Sequence, residues 1–456
     1  MSSSSALLLC TGVVIALLYV SSHSSSANSF GLWIVLIWVA SGASRPVSSW
    51  FNLSSEVAVS AEAYDAGNPV ERNFYLLLIL AGFFILLKRH VSVRDFLRQN
   101  LALSLFTLFW GVSVIWADYP LITFKRWIKD SGTIIMVLIL LSEINPLAAF
   151  RMVFVRCAYI LIPFSLLLIR YFSDLGRLYS KWDGGLMNVG VTPQKNSLGM
   201  LALASVLFVT WDLIEVIRSR RQRKLTLVCI FDVAILIASI YILYLSHSAT
   251  SIVCTILGLA VFIALRLPSL RHNIRRLGFS VIIGLIALFG LNTFIDLKSE
   301  FLILVGRDPT LTSRTEVWPI VLQYQTSPIL GPGFKSFWAG TRLTAIWENY
   351  HIIQAHDGYL ETYLNGGVAG VGLLLAFLVS TIRRIGADLQ HETIYSSMRL
   401  TIWLVVVIHN YTEASFNTFS PLWIALLVVS AKFPAFPHID PTEPSLGLPA
   451  LPTGSR

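Results

Sequence analysis

The sequence places a histidine and a set of arginines where they could act on a phosphorylated substrate. His356 ends a long polar stretch and directly precedes Asp357 and an apolar segment. Histidine can be neutral near pH 7 and can take a proton from a hydroxyl. Arg307, Arg314 and Arg342 lie in the same polar stretch, and the planar guanidinium group matches the oxygens of a phosphate. Cations that hold a diphosphate, with a base that deprotonates a sugar hydroxyl, are the minimum for metal-independent glycosyl transfer from a lipid diphosphate.

Each of these residues also has an ordinary structural interpretation. A single arginine outside the membrane is usually a solvated side chain, and a histidine at the start of a helix is usually a surface residue. Asp357 can be a helix N-cap or a carboxylate of the first helical turn. From spacing alone the structural interpretation is the commoner one, so the enzymatic hypothesis depends on the rest of the chain.

The composition indicates a membrane protein. Of the 456 residues, 55% are hydrophobic and 13% are charged, and the mean hydropathy is +0.70. A soluble domain has about 25% charged residues, and a soluble chain this apolar would expose large hydrophobic patches. Spanning helices need roughly 20 mostly apolar residues, whereas a β-barrel would show short alternating segments. The net charge of +9 does not indicate nucleic-acid binding, because the basic residues form short clusters between apolar segments.

Thirteen apolar segments are candidate transmembrane helices. They fall at about residues 6–21, 30–44, 73–88, 101–116, 131–143, 151–171, 195–217, 226–245, 250–266, 278–295, 358–382, 399–412 and 421–433. The first is flanked by serines and could be signal-like or interfacial, so we expect about twelve spanning helices with both chain ends inside. The predicted fold class is all-α: a polytopic membrane protein with a large, partly helical outer-face loop.

Basic clusters predict the orientation of these segments. They lie at residues 88–98, 218–224 and 266–276, on one side of the membrane if every intervening segment spans. The positive-inside rule assigns that side to the cytoplasm. The long loops 45–72 and 296–357 then face outward, and the Pro-rich tail 434–456 faces inward and is predicted to be disordered.

The outer loop 296–357 is predicted to be folded rather than a linker. Ser313 and Glu316 fit a capping box that would start a short helix at Arg314. Trp318, in that helix, could stack on a sugar ring, although tryptophan at the membrane interface is the commoner role.

Later in the same loop, a turn-forming GPGF sequence occupies residues 331–334. Phe337 and Trp338 follow it and are predicted to be anchors at the membrane interface.

Seven short segments form an ordered set along the chain. They are WADYPLITFKRWIK at 116–129, GVTPQKNSLG at 190–199, LSHSATS at 245–251, TSRTEVW at 312–318, GPGF at 331–334, AHDGYLETYLNGGVAG at 355–370 and HNYTEASF at 409–416. The set resembles the O-antigen ligase domain shared by O-antigen ligases, O-antigen polymerases and ExoQ-like exopolysaccharide polymerisation proteins. Each segment alone is loose, but the ordered set, with the family's long outer loop between late helices, is quite specific and covers about residues 115–417.

The resemblance implies a GT-C-like glycosyltransferase on the outer face of the inner membrane, with no metal ion or other cofactor. The implied partners are a glycan donor on undecaprenyl diphosphate, a glycan or lipid acceptor, the bilayer and other polysaccharide assembly proteins, with no nucleic acid. By the same resemblance, His356 would be the base or would position the acceptor hydroxyl, and Arg314 would bind the diphosphate. Lys195, in a Lys-Asn motif, would add a second cation.

The chain departs from the family pattern at one predicted cation. Ala249 stands where ligases carry Arg or Lys after a Ser-x-Ser stretch. Lys195, Arg307 or the KRWIK cluster that contains Arg126 could substitute for that cation.

Two further departures flank the predicted catalytic residues. Ser313 replaces the more usual glycine before Arg314, and Asp357 replaces the more usual asparagine. Asp357 next to His356 would favour the protonated imidazole. Glu413, in the last motif, would orient an arginine or bind the acceptor sugar, or else is a helix-end carboxylate in water.

These observations divide the chain into four regions. They are the N-terminal helices and outer loop (1–114), the O-antigen ligase-like membrane domain (115–417), the last transmembrane helix (418–433) and the cytoplasmic tail (434–456). A polymerase is favoured over a ligase because the upstream motifs resemble the ExoQ-like branch. The alternatives are a lipid-linked sugar transporter or flippase, and a non-catalytic subunit for polysaccharide export. A transporter would place charges at mid-bilayer depth, where Asp232 is the main ionisable residue.

Overall fold

The structure is a computed structural model that describes residues 1–24, 28–51, 67–179, 184–218, 224–266, 314–389 and 394–432. The predicted segment 278–295 and the tail 434–456 lie outside the described residues, as does Arg307.

Most of the described chain is helical. The first half contains α1 (Ser3–Ser24), α2 (Phe30–Gly42), α3 (Val47–Trp50), α4 (Pro69–Lys88), α5 (Val93–Gln99), α6 (Leu101–Val112), α7 (Pro120–Leu141), α8 (Pro146–Tyr171), α9 (Ser173–Gly176), β1 (Arg177–Tyr179) and β2 (Leu186–Asn188). The second half contains α10 (Lys195–Arg218), α11 (Lys224–Leu245), α12 (Ala249–Ala264), α13 (Arg314–Gln323), α14 (Gly340–Tyr350), α15 (Gly358–Asp388), α16 (Ile394–His409) and α17 (Pro421–Ser430). Proline opens α4, α7, α8 and α17, where its missing N–H costs no helical hydrogen bond.

Six described helices, α1, α4, α8, α10, α11 and α15, are long and apolar enough to cross a membrane. Five shorter apolar helices accompany them: α2, α6 with its short extension to Ile115, α12, α16 and α17. All the predicted apolar segments that fall on described residues overlap a helix, so the chain is a helical, multi-pass membrane protein. The count of twelve spans remains a prediction.

The all-α prediction missed a small hairpin. β1 and β2 pair antiparallel, with Leu178 opposite Met187. Arg45, which follows α2, holds the base of this hairpin by donating hydrogen bonds to the carbonyls of Leu175 (2.7 Å) and Gly190 (2.6 Å). Three-residue strands carry too little alternation to be recognised in a sequence.

The core lies around α8 and α10, whose aromatic side chains pack against each other. Phe154 of α8 stacks on Phe208 of α10 with ring centroids 4.1 Å apart. In contrast, α1 and α4 expose many large apolar side chains, among them Leu8 and Leu77. A wide apolar surface of this kind suits contact with lipid, since spanning helices face hydrocarbon.

The core contains more ionisable side chains than the sequence indicated. Beside Asp232, whose carboxylate accepts a 2.5 Å hydrogen bond from Tyr159, Asp212 is also buried. Arg151 forms an ion pair with Asp212 at 2.8 Å. The expectation that Asp232 is the main ionisable residue of the spans was therefore incomplete. The ion pair between Arg151 and Asp212 was not predicted, because it depends on how two helices pack.

The described part of the outer loop, residues 314–357, has its own apolar core. Val321 of α13 and Leu343 of α14 pack with Phe337 and Trp338, which are 0% and 6% exposed. Phe337 and Trp338 are thus core residues of the loop, and the prediction that they anchor the membrane interface was wrong. The described part of the loop is folded, as expected.

A break in α15 anchors this loop to the bundle. Gly367 has φ 59°, outside the helical region, so the next N–H groups lose their helical partners. Val368 and Ala369 donate to the carbonyls of Pro328 (2.9 Å) and Ile329 (3.0 Å) instead. The outer loop therefore caps the second half of α15.

Candidate functional site

His356 lies at the corner where the outer loop turns into α15. Its φ of 54° is left-handed, which is uncommon for a residue with a side chain. Asp357 is the N-cap of α15, because its Oδ1 accepts hydrogen bonds from the backbone of Tyr359 and Leu360, each at 2.8 Å. The structure thus bears out the capping interpretation of Asp357.

A carboxylate from another part of the chain lies next to the imidazole of His356. Nδ1 of His356 lies 3.8 Å from Oε2 of Glu413. Glu413 is 7% exposed, so it is not a helix-end carboxylate in water, and that interpretation was wrong. Its other oxygen accepts a 2.7 Å hydrogen bond from Nδ2 of Asn196. Glu413 therefore lies beside His356, and the expected effect of Asp357 on His356 stays a prediction.

Asn410 holds the segment 409–416 in place opposite His356. Its Oδ1 accepts from the backbone N–H groups of Ser415 (2.8 Å) and Phe416 (2.9 Å). Its own carbonyl accepts from the N–H of Gly358, the first residue of α15, at 2.8 Å. The His356 corner and the Glu413 turn are therefore fixed to each other. Sequence reasoning missed Asn410 and Asn196, although both lie inside the quoted motifs.

The Lys-Asn motif reaches this site through its asparagine. Lys195 is the first residue of α10 and is half-buried, next to Asn196. The start of α12, where Ala249 replaces the family cation, also borders the site, because Thr250 and Thr412 share a 2.6 Å hydrogen bond. The structure brings the two motifs together around Glu413, and the role of Lys195 as a cation for substrate stays a prediction.

Arg126 supports the GPGF turn. Its Nη1 donates to the carbonyls of Lys335 (2.6 Å) and Trp338 (3.0 Å). Lys335 in turn forms a 2.9 Å ion pair with Asp130. The backbone of Asp118 donates to the carbonyl of Pro332 at 3.0 Å. The segment 116–129 is therefore the platform on which the outer loop rests, and Arg126 also lines a cavity there.

Lys129 belongs to the same platform and precedes the apolar part of α7. Its Nζ lies 4.0 Å from the ring centre of Tyr75 and 5.3 Å from that of Phe419. Burial, and to a smaller extent the neighbouring Lys335, lowers the pKa of Lys129 to about 8, while Glu71 and Asp130 oppose the shift. The aromatic faces stabilise its charged form only in part.

The remaining predicted residues of the loop have different placements. Arg314 begins α13, as expected, with its backbone alone described. Trp318, one turn later, donates from Nε1 to the carbonyl of Ala355 at 3.0 Å, so its indole nitrogen contacts the His356 corner. Arg342 forms a 2.6 Å ion pair with Asp118, which neutralises this cation.

Two adjoining cavities flank the site. The first, about 180 Å³, is lined by Asn196, Gln354, Glu413 and hydroxyl residues near Ser415, and none of its described lining residues is Lys or Arg. The second, about 300 Å³, is lined by Arg126, Lys335, the rings of Trp110, Trp338 and Phe416, and the side chains of Glu361 and Asn365. Gln354, Ala414 and Thr418 border both cavities. The described residues contain no cluster of three or more His, Cys, Asp or Glu side chains that could hold a metal ion.

Comparison with known proteins agrees with the resemblance drawn from the motifs. Residues 233–377 match a family model described as O-antigen ligase. The match contains α12 to α14, His356 and the broken part of α15, while Asn196 and Glu413 lie outside it. Curated proteins give no match to the chain. Residues 233–377 of this multi-pass membrane protein are thus similar to the O-antigen ligase family.

Proposed function

We propose that this protein is a glycosyltransferase that joins glycan from a polyprenyl diphosphate donor, of the undecaprenyl kind, to an acceptor hydroxyl at the outer face of the inner membrane. The observation that carries the proposal is the contact of His356, at the end of the folded outer loop, with the buried Glu413, which lines the smaller of two adjoining cavities. A histidine oriented by a carboxylate is the arrangement that activates a hydroxyl in many transferases and hydrolases.

In the proposed reaction the acceptor oxygen bonds to the anomeric carbon of the donor sugar. The bond between that carbon and the diphosphate oxygen breaks, and its electron pair leaves with the lipid diphosphate. The hydroxyl proton passes to Nε2 of His356, because Nδ1 faces Glu413. The Glu413 carboxylate then stabilises the imidazolium ion. Their separation of 3.8 Å is too long for a hydrogen bond, and catalytic contacts are often long before substrate binds.

Arg314 is the proposed ligand of the leaving diphosphate, because it begins the helix whose Trp318 contacts the His356 corner. Guanidinium groups bind phosphate oxygens in pairs and stabilise the charge that develops on the leaving group. Lys195, Arg307 and Arg126 are the proposed additional cations. Of these, Arg126 lines the larger cavity together with Lys335, which gives that cavity a positive charge.

The smaller cavity is proposed to take the acceptor glycan. Its described lining offers amide and hydroxyl groups with the Glu413 carboxylate and the buried His409, a set that suits the hydroxyl groups of a sugar. A polymerase would place the growing glycan here, and a ligase would place a core sugar or lipid acceptor here. The upstream motifs favour the polymerase.

The proposal is tested with purified protein in vesicles that contain an undecaprenyl-diphosphate-linked repeat unit. Wild type is compared with His356→Ala, with His351→Ala as the matched control, because His351 is an exposed histidine at the end of α14 with a similar left-handed φ of 56°. We expect a ladder of longer lipid-linked glycans from wild type and His351→Ala, and none from His356→Ala.

The other outcomes separate the alternatives. Transfer only after a lipid or core acceptor is added identifies a ligase. Movement of the lipid-linked sugar across the vesicle membrane without any transfer contradicts the enzyme proposal and supports a transporter. The purified protein could also show neither transfer nor movement of the sugar. If adding the neighbouring assembly proteins then restores transfer, and His356→Ala does not affect it, the protein is a non-catalytic subunit.

A further inference from the structure

The backbone N–H and C=O of Ala355, the residue before His356, are both held by side chains of the outer loop and α15. The N–H of Ala355 donates to Oε1 of Glu361 at 2.7 Å. The carbonyl of Ala355 accepts from Nε1 of Trp318 at 3.0 Å. Ala355 itself is fully buried in the core of the loop. Both hydrogen-bonding groups of this residue are thus satisfied by side chains rather than by secondary structure.

This arrangement matters because of the backbone conformation that follows it. His356 adopts a left-handed φ of 54°, which residues with a Cβ rarely adopt unless their surroundings impose it. On the C-terminal side, Asp357 fixes the start of α15. On the N-terminal side, the contacts of Glu361 and Trp318 with Ala355 supply the restraint.

Glu361 connects this restraint to the larger cavity. Its second oxygen, Oε2, accepts a 2.7 Å hydrogen bond from Nε1 of Trp338, and both side chains line that cavity. A carboxylate has two oxygens that accept, so it can bind Ala355 and Trp338 at the same time, whereas an amide of the same size has one. The position therefore calls for a carboxylate for a geometric reason.

We propose that Glu361 and Trp318 are positioning residues. They hold the N–H and the carbonyl of Ala355 and thereby orient the His356 imidazole toward Glu413. The structural part of this inference stands without the proposed function, and its consequence for the transfer rate rests on it. A displacement of a catalytic group by about 1 Å costs on the order of 100-fold in rate, so loss of the Ala355 contacts affects kcat far more than KM.

The variants follow from the count of donors and acceptors. Glu361→Gln leaves one acceptor for two N–H groups, so the bond to Ala355 competes with that to Trp338. Trp338→Phe is the matched control, because it removes the competing donor and leaves the contact between Glu361 and Ala355. In the double variant the single amide oxygen is free to accept from Ala355 again. Trp318→Phe removes the donor on the carbonyl side and keeps most of the ring.

Two readouts are measured on the full-length protein in detergent and in vesicles. The first is the carbethoxylation rate of His356 by diethyl pyrocarbonate, followed by mass spectrometry relative to His351 in the same molecule. The second is kcat and KM for glycan transfer. We expect Glu361→Gln and Trp318→Phe to raise the labelling ratio several-fold, because the imidazole leaves Glu413. We also expect them to lower kcat by about 10- to 100-fold with little change in KM.

The double variant Glu361→Gln with Trp338→Phe is expected to regain both properties relative to Glu361→Gln, and Trp338→Phe alone is expected to keep the wild-type labelling ratio. A double variant as impaired as Glu361→Gln, or single variants with wild-type labelling and kcat, would overturn the positioning role. The labelling readout does not depend on transfer. Normal transfer with unchanged labelling in Glu361→Gln therefore contradicts this inference alone. Changed labelling in Glu361→Gln, when wild type itself shows no transfer, contradicts the proposed function alone.

Discussion

Replacing Glu413 with glutamine removes a charge while preserving its contact with Asn196. The amide oxygen of glutamine can still accept the hydrogen bond that Asn196 donates at 2.7 Å. The electrostatic effect on His356 follows from the distance of 3.8 Å between Nδ1 and Oε2. With an effective dielectric constant of about 20, two unit charges at this distance attract by about 4 kcal/mol.

This attraction must be reduced for solvent. The side chain of His356 is 33% exposed, so we take about half of the Coulomb energy, or about 2 kcal/mol. The imidazolium ion forms as the acceptor hydroxyl loses its proton, so the carboxylate lowers the barrier by this amount. Because each 1.36 kcal/mol is a factor of ten in rate, Glu413→Gln is expected to lower kcat about 30-fold.

The assay is the initial rate of glycan transfer in vesicles, with donor and acceptor varied separately. The matched control is Asp357→Asn, which removes the charge next to His356 in the chain but keeps a good N-cap for α15. We expect Asp357→Asn to change kcat by less than about threefold, since asparagine caps as well as aspartate. A wild-type rate in Glu413→Gln, or an equal loss in Asp357→Asn, would refute the pairing of His356 with Glu413.

Three further outcomes are expected. Gly331→Ala should destabilise the protein by about 3 kcal/mol or more, because Gly331 has φ 68° and an added Cβ would lie 2.1 Å from the carbonyl oxygen of Asn365; a large drop of the unfolding midpoint in detergent checks this, with Gly372→Ala, which has open space, as the unaffected control. Lys129→Met should raise the unfolding midpoint most below pH 8. The native pKa of Lys129 is lowered to about 8 from an ordinary 10.5, so its burial penalises the charged form fully below pH 8 and progressively less as pH rises above it; a gain over wild type that grew with pH would contradict this sign. Asn410→Ala should lower both stability and kcat, because it leaves the buried N–H groups of Ser415 and Phe416 without their acceptor, while Asn410→Asp keeps that acceptor and should lose less in both measurements.

Helix positions and the folded outer loop were predictable from the sequence, because hydropathy and capping are local properties. The period and length of apolar segments specify where helices such as α8 and α10 occur. The GPGF turn is also local, since the positive φ values of Gly331 and Gly333 require residues without a side chain. The motifs at 355–370 and 409–416 also predict His356 and Glu413 as candidate site residues.

The partner of His356 was not predictable, because it depends on how distant segments approach. Asp357 is adjacent in sequence and was the natural candidate, yet its carboxylate turns to the N–H groups of α15. Glu413 reaches His356 only because Asn410 binds Gly358 across the bundle. In the same way, the prediction of Trp338 as an interface anchor was wrong, because its burial under α13 and α14 depends on tertiary contacts.

The role of His356 as the base is tested most directly by single-turnover transfer of one labelled repeat unit from undecaprenyl diphosphate. The reconstituted proteins are wild type, His356→Ala and Glu413→Gln. We expect transfer by wild type, a rate about 30-fold lower in Glu413→Gln and none detectable in His356→Ala, with equal donor binding in all three. Transfer by His356→Ala at the wild-type rate would contradict the assignment of His356 as the base.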